Sequence, residues 1–323
     1  MTKFLLLLSI VSIFVALFFG AASITPSQLI NCLVNQCHND ISELVIWQIR
    51  LPRVLVGFVA GAGLACAGAI LQNITRNPLA DPYLFGIVAG AGLGATIASI
   101  GFSEQLIVSL PTAAFLGALF SVIIVFSLAN FMQKIEQLLL AGVAVSFMLS
   151  AITQFMLYTS DPLAANRVLF WLMGSLARVE MQHFYLISTV MLIALFIIFA
   201  FHRQIDALAL GDETASTLGV NVTKLRLIML AICAAITAII VAYCGGIAFI
   251  GLMIPHIVRQ LVGNNTFRLI IGSILLGGSF LIWVDVVARS AINNLELPIG
   301  IITSVIGSLF FLFVMFKGDK YEQ

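Results

Sequence analysis

The chain keeps returning to apolar runs long enough to cross a bilayer. Ten of them lie near 4–20, 54–72, 84–102, 111–129, 138–158, 184–201, 225–243, 249–262, 269–288 and 298–316. A spanning helix needs about 20 mostly apolar residues. Lipid offers no partner for backbone N–H and C=O groups, so such a run must form a helix that satisfies them internally. The expected fold class is all-α: a polytopic membrane protein of about ten transmembrane helices, with residues 1–323 as a single domain. The eighth run is short and holds Pro255 and His256, which predicts a helix that is broken or partly buried in protein. Composition agrees, since 61% of the residues are hydrophobic and 9% are charged. A soluble domain carries about a quarter charged residues. The net charge of +1 and the scattered lysines argue against nucleic acid as a partner. The first run follows Lys3 and precedes "GAAS", the outline of a signal peptide; it is read here as the first membrane helix.

Ten spans put both termini on one side. Lys3, Arg76, Lys134, Arg203, Lys224, Arg226, Arg259, Arg268, Lys317 and Lys320 then share a side, against Arg50, Arg53, Arg167, Arg178 and Arg289 on the other. The positive-inside rule makes the first side cytoplasmic. Gly57 and Gly61, and then Gly86, Gly90 and Gly94, recur at the spacing that lets helix backbones approach closely in lipid. Of the five cysteines, Cys66, Cys233 and Cys244 fall in apolar runs as small hydrophobes. For Cys32 and Cys37, in "NCLVNQCHND", free thiols come first, a disulfide second and a metal site third.

Arg50 and Arg53, in "WQIRLPRVLVGF", sit three apart at a helix entrance that Pro52 favours, so they share a face. One reading is interfacial snorkelling. Asp285 lies four residues before Arg289, which predicts a pair along one helix. The largest cytoplasmic loop, 201–226, is too polar to span. Asp212 is expected as the N-cap of a short helix ending at Gly219, with a second short helix over "IDALAL" and Gly211 between them. Two such helices could form a docking platform or an ordinary ordered loop. The phosphate-loop, H-E-x-x-H and G-x-S-x-G motifs do not occur, so the chain is expected to be no enzyme and to hold no cofactor or metal.

Several blocks together resemble one family. They are "WQIRLPRVLVGFVAGAGLACAGAILQ", "RNPLADPYLFGIVAGAGLGA", "LLLAGVAV", "LGDETASTLGV", "GGIAFIGLMIPHIVR" and "VDVVARSAINNLELPIGIITSVIGSLFF". In this order they are similar to the FecCD-type permeases of type II ABC importers, which take up iron–siderophores, heme and vitamin B12. The resemblance implies a homodimer in the bacterial inner membrane, around one translocation path that works by alternating access. Two separate ATPase subunits carry ATP and Mg, and a periplasmic substrate-binding protein delivers the ligand. It implies ATPase coupling through Leu210, Gly211, Asp212, Glu213, Ala215, Leu218 and Gly219, and binding-protein docking through Arg50, Arg53 and Arg289. It also implies a cytoplasmic gate at Lys134, Ile135 and Glu136, where the vitamin B12 members carry a small, hydroxyl-rich turn. The alternative is an ion-coupled secondary transporter without an ATPase. That would need intramembrane ionisable groups, of which Asp285 is the one clear case.

Overall fold

Small residues decide which helix sits in the middle. Helix α4 (Leu51–Thr75) reads "LPRVLVGFVAGAGLACAGAILQNIT" and is buried on nearly every face. At Gly61 an added Cβ would meet the backbone carbonyl of Gly277 and, at 2.7 Å, the Cβ of Leu281. At Gly68 it would run into the backbone of Gly251, and at Gly63 it would lie 2.7 Å from Ile240. Each glycine admits a different neighbour. Lipid tails are as apolar as leucine, so helices associate through such close packing rather than through exclusion of water.

The computed structural model describes residues 1–20, 25–33, 40–101, 109–129, 135–292 and 295–318. Against α4 pack α1 (Thr2–Ala16), α9 (Met181–Ala209), α11 (Val222–Cys244), α12 (Ile250–Val262) and α13 (Thr266–Ser290); α5 (Ile87–Gly101) and α6 (Leu110–Ala129) pack on α11, α7 (Ile135–Tyr158) on α5 and α6, and α14 (Ile299–Gly318) on α12 and α13. Each expected apolar run thus contains a helix. Seven are long and apolar enough to cross a membrane, whereas α1, α5 and α12 are shorter. No strand occurs among the described residues. The second span begins earlier than expected: α3 (Asp40–Leu44) passes through a π-helical turn, Val45–Arg50, directly into α4. Two more helices were not anticipated, α2 (Pro26–Leu33) and α8 (Pro162–Leu172). α8 has a clear local cause, because the Asp161 carboxylate accepts from the amides of Leu163 and Ala164 at 2.9 and 3.2 Å and Pro162 opens the first turn.

The glycine pattern holds at Gly61, Gly90 and Gly94 but not at Gly57, which meets only the Leu176 side chain, nor at Gly86. Gly90 and Gly94 press on the Gly117 and Ala113 carbonyls of α6. Gly86 instead has φ +73° and closes the 3-10 turn Pro82–Phe85 ahead of α5, a left-handed position that suits glycine. That turn is irregular backbone packed among helices. So is 245–249, which ends at Phe249, whose φ of +69° starts α12. The Tyr83 hydroxyl joins them, donating to the Ile247 carbonyl at 2.9 Å and accepting from the Ile247 amide at 2.7 Å. Irregular backbone survives at membrane depth only when protein or a water-filled cavity satisfies it.

Backbone on the far side cannot rotate away as a side chain can. Gly68→Ala is therefore expected to cost the upper part of the roughly 1–3 kcal/mol typical of overpacking. Gly92→Ala, which meets the flexible Leu172 side chain at 3.0 Å, should cost far less. Thermal unfolding of the detergent-solubilised variants checks the order; equal losses would refute it.

Candidate functional site: two polar ends and a cleft between them

At the N-terminal end of α4, Arg50 and Arg53 share a face as expected but part company. Arg50 Nη1 donates to the carbonyls of Leu17 and Phe18 at 2.7 and 3.1 Å, and Arg289 Nη2 donates to Ala16 O at 3.1 Å. Both cations thus cap the C-terminus of α1, where orphan carbonyls and the helix dipole favour positive charge. Arg53 turns to α13. Its Nε lies 2.9 and 3.1 Å from the two Asp285 oxygens, and its Nη1 lies 2.9 Å from Glu296 Oε1. The Asp285–Arg289 pair is also present, at 3.3 Å, off the hydrogen-bond axis of the arginine Nε.

The three arginines expected to face a binding protein are buried in the single chain. Their exposures are 3%, 6% and 8% for Arg50, Arg53 and Arg289, so in the single chain none presents a free guanidinium to water or to an acidic partner. Buried charges have to be paired, and here the pairs are made with α1, α13 and the segment carrying Glu296. Glu296, with a half-exposed side chain, is the solvent-facing member. Cys32 also departs from the free-thiol reading: it is buried and disulfide-bonded. Cys37 lies outside the described residues.

The C-terminal end of α4 is a junction. Arg226 Nε donates to Ile74 O at 3.0 Å. Arg259 Nη2 reaches Asn73 Oδ1 at 3.1 Å and Gln72 Oε1 at 3.3 Å. Asn73 donates to Thr266 Oγ1 at 3.1 Å, and the Thr266 amide donates to Asp206 at 2.8 Å. Thus α9, α11, α12 and α13 are all tied to the last turn of α4.

Beside this junction lies α10 (Asp212–Thr217). "IDALAL" is not a separate helix; α9 continues through Ala209 and stops at Gly211, where φ is +123°. Gly211 takes the N-cap position expected of Asp212. The Asp212 carboxylate instead grips Arg226 at 2.7 and 2.8 Å and Arg76 at 3.0 Å. The hydrogen bonds from Arg226, aided by the charge of Arg76, hold this carboxyl below its ordinary value of 3.8. At the other end, Gly219 donates to Ser216 O and Val220 to Ala215 O, both at 3.0 Å, a Schellman stop in which Gly219 has φ +82°. Ala215 is buried, whereas Leu210 and Leu218 are 71% and 64% exposed and Glu213 is exposed. Of the expected gate, Ile135 and Glu136 begin α7, with side chains outside the described residues, and Lys134 lies outside them entirely.

Between the ends, two clefts of about 340 and 470 Å³ share Tyr83, Val88 and Leu172 as a common wall. Ser146, Ser150, Thr153 and Gln154 of α7 line one; Gly246, Gly300 and Ser304 line the other. Their linings are apolar, hydroxyl and amide, without a charged side chain. Among the described residues no group of three or more His, Cys, Asp or Glu is placed to hold a metal ion.

The match to a family model, the FecCD transport family, runs over residues 6–317. The chain belongs to that family. It is 37% identical over 313 residues to an Fe(3+)-citrate import system permease protein of Bacillus subtilis, covering 96% of this chain and 92% of the relative. It is 34% identical over 327 residues to a hemin transport system permease protein of Yersinia pestis, covering 98% and 95%. A solved structure described as an inward-facing, metal-chelate type ABC transporter superposes with a TM-score of 0.87 at 32% identity, covering 98% of both chains. This permease is thus a multi-pass membrane protein of the ABC-importer type, the family to which the sequence blocks pointed.

Asp285 sits between two buried guanidiniums, so its loss leaves like charges side by side. Asp285→Ala is expected to cost about 3–5 kcal/mol, the range for breaking a buried pair. Arg289→Ala should cost less, because Asp285 keeps its two bonds to Arg53. Comparative unfolding of the purified permease tests the ranking, and the reverse order would overturn it.

Proposed function

We propose that this permease is the membrane subunit of an ATP-driven importer that carries a metal chelate, such as a ferric siderophore, heme or cobalamin, from the periplasm to the cytoplasm of a bacterial inner membrane. Two copies form the path, two separate ATPase subunits bind at the end carrying α10, and a periplasmic binding protein docks at the end carrying Glu296. Both termini and residues 201–226 are cytoplasmic. The observation that carries this reading is α10 itself: a helix anchored inward by Ala215 and Asp212 that leaves Leu210 and Leu218 exposed at the same end. Exposed leucines on an ordered, capped element suit a partner that covers them. The uncharged clefts suit a bulky chelate passed along without tight retention. The buried arginines then serve docking by shaping the outer surface, with Glu296 as its accessible charge.

Leu218→Asp would place a charge in the ATPase contact, costing several kcal/mol if it is desolvated unpaired. Transport and co-purification with the ATPase should both fall, and a variant with normal yield and uptake would count against the reading. In intact cells, a thiol reagent applied from outside should reach a cysteine placed at Ile41 and miss one at Glu213. Labelling of position 213 would overturn the sidedness.

A further inference from the structure

The C-terminal end of α4 suggests how movement of α10 reaches the rest of the molecule. The packing neighbours of α10 are α9 and α11. Its principal tie to α4 is therefore the side chain of Asp212. That carboxylate spends both oxygens on Arg226, at 2.7 and 2.8 Å, and shares one of them with Arg76 at 3.0 Å. Each cation is itself fixed to the end of α4. Arg226 donates its Nε–H to the carbonyl of Ile74, in the last turn. Arg76 is the C-cap residue, held left-handed at φ +51° without being a glycine. From Arg76 the chain runs through 77–81 to the turn carrying Tyr83, whose hydroxyl holds both the amide and the carbonyl of Ile247. Tyr83 is also the wall shared by the two clefts.

We propose that Asp212 is a positioning residue that transmits displacement of α10 to the C-terminal end of α4 and so to the Tyr83 segment beside the clefts. This rests on the reading of α10 as the ATPase-facing element and deepens it by naming the bond that carries the load inward. An isolated exposed ion pair is a weak tether. The Asp212 arrangement differs in geometry, since a two-pronged carboxylate–guanidinium contact fixes orientation as well as distance and a second cation closes the triangle. The carboxylate faces Arg76 and Arg226, while the exposed leucines face away from the protein. Recognition of the partner and transmission of its movement thus fall to different side chains.

The test needs no ligand. The permease is assembled with its ATPase, and spin labels are placed at Glu213 or at Leu79, an exposed position beyond α4. The distance between the two copies' labels is measured without nucleotide and after trapping with ATP and vanadate. In the wild type both pairs should shift. In Asp212→Asn the Glu213 pair should still shift, while the Leu79 pair loses most of its shift; Asp212→Glu should restore it. Arg76→Gln, which removes one of the two cations, should give an intermediate loss and serves as the second probe if Asp212→Asn does not assemble. A full Leu79 shift in Asp212→Asn, or in Arg76→Gln when that is the variant measured, overturns the proposal and leaves the importer reading intact. Loss of the ATPase from a well-folded Asp212→Asn permease also overturns it, by making Asp212 a docking contact. A wild-type complex in which the Glu213 pair does not respond to nucleotide sinks both the proposal and the reading beneath it.

Discussion

Backbone meets backbone where α4 crosses α13 and α12, and the rest of the bundle is arranged about those crossings. Gly61 lies against the Gly277 carbonyl and Gly68 against the Gly251 backbone. Among lipid chains, van der Waals contact and polar pairing replace the exclusion of water that drives soluble folding. Close approach on several faces brings α4 within reach of α9, α11, α12 and α13 at once. Only a helix so placed can carry a charged cluster at one end and a polar junction at the other, each completed by several different neighbours.

The two ends solve different problems. At the N-terminal end of α4 the cations are buried and consumed by internal partners, namely the carbonyls of α1, the Asp285 carboxylate and Glu296. At its C-terminal end the Asp212 cluster is partly open to water and lies beside exposed leucines. The first cluster is enclosed by the bundle, whereas the second lies at its surface. The clefts are walled by the Tyr83 turn, which follows the second cluster in sequence.

Much of this was legible because lipid leaves the chain few options. Apolar runs had to be helices, and ten of them were. The short elements were not seen: α2 and α8 are too brief to register as spans, although the Asp-Pro pair at Asp161–Pro162 is a local start signal for α8. Asp212 was misassigned as an N-cap because sequence shows the preference of aspartate for that position but not that Gly211, at φ +123°, already occupies it. "IDALAL" holds no breaker, and α9 simply continues through it. The shared face of Arg50 and Arg53 could be read from their spacing. Their inward orientation could not, because it depends on Leu17, Asp285 and Glu296, which only the tertiary fold brings near. Tyr83 gave no signal either; its role exists only once 245–249 is folded against it.

The distribution of the buried arginine cluster along the chain has a consequence for how the protein is made. α1 ends at carbonyls that are completed by Arg50 from the second span and by Arg289 from the ninth. Arg53 enters with that second span, while its carboxylate on Asp285 follows 232 positions later. During synthesis the earliest helices therefore reach the bilayer with part of their polar complement still on the ribosome. A buried guanidinium awaiting its partner is poorly suited to lipid. Until α13 arrives, Arg53 can keep its charge at the interface by extending along the helix end. In the finished fold the cluster is complete only where α13 meets both α1 and α4.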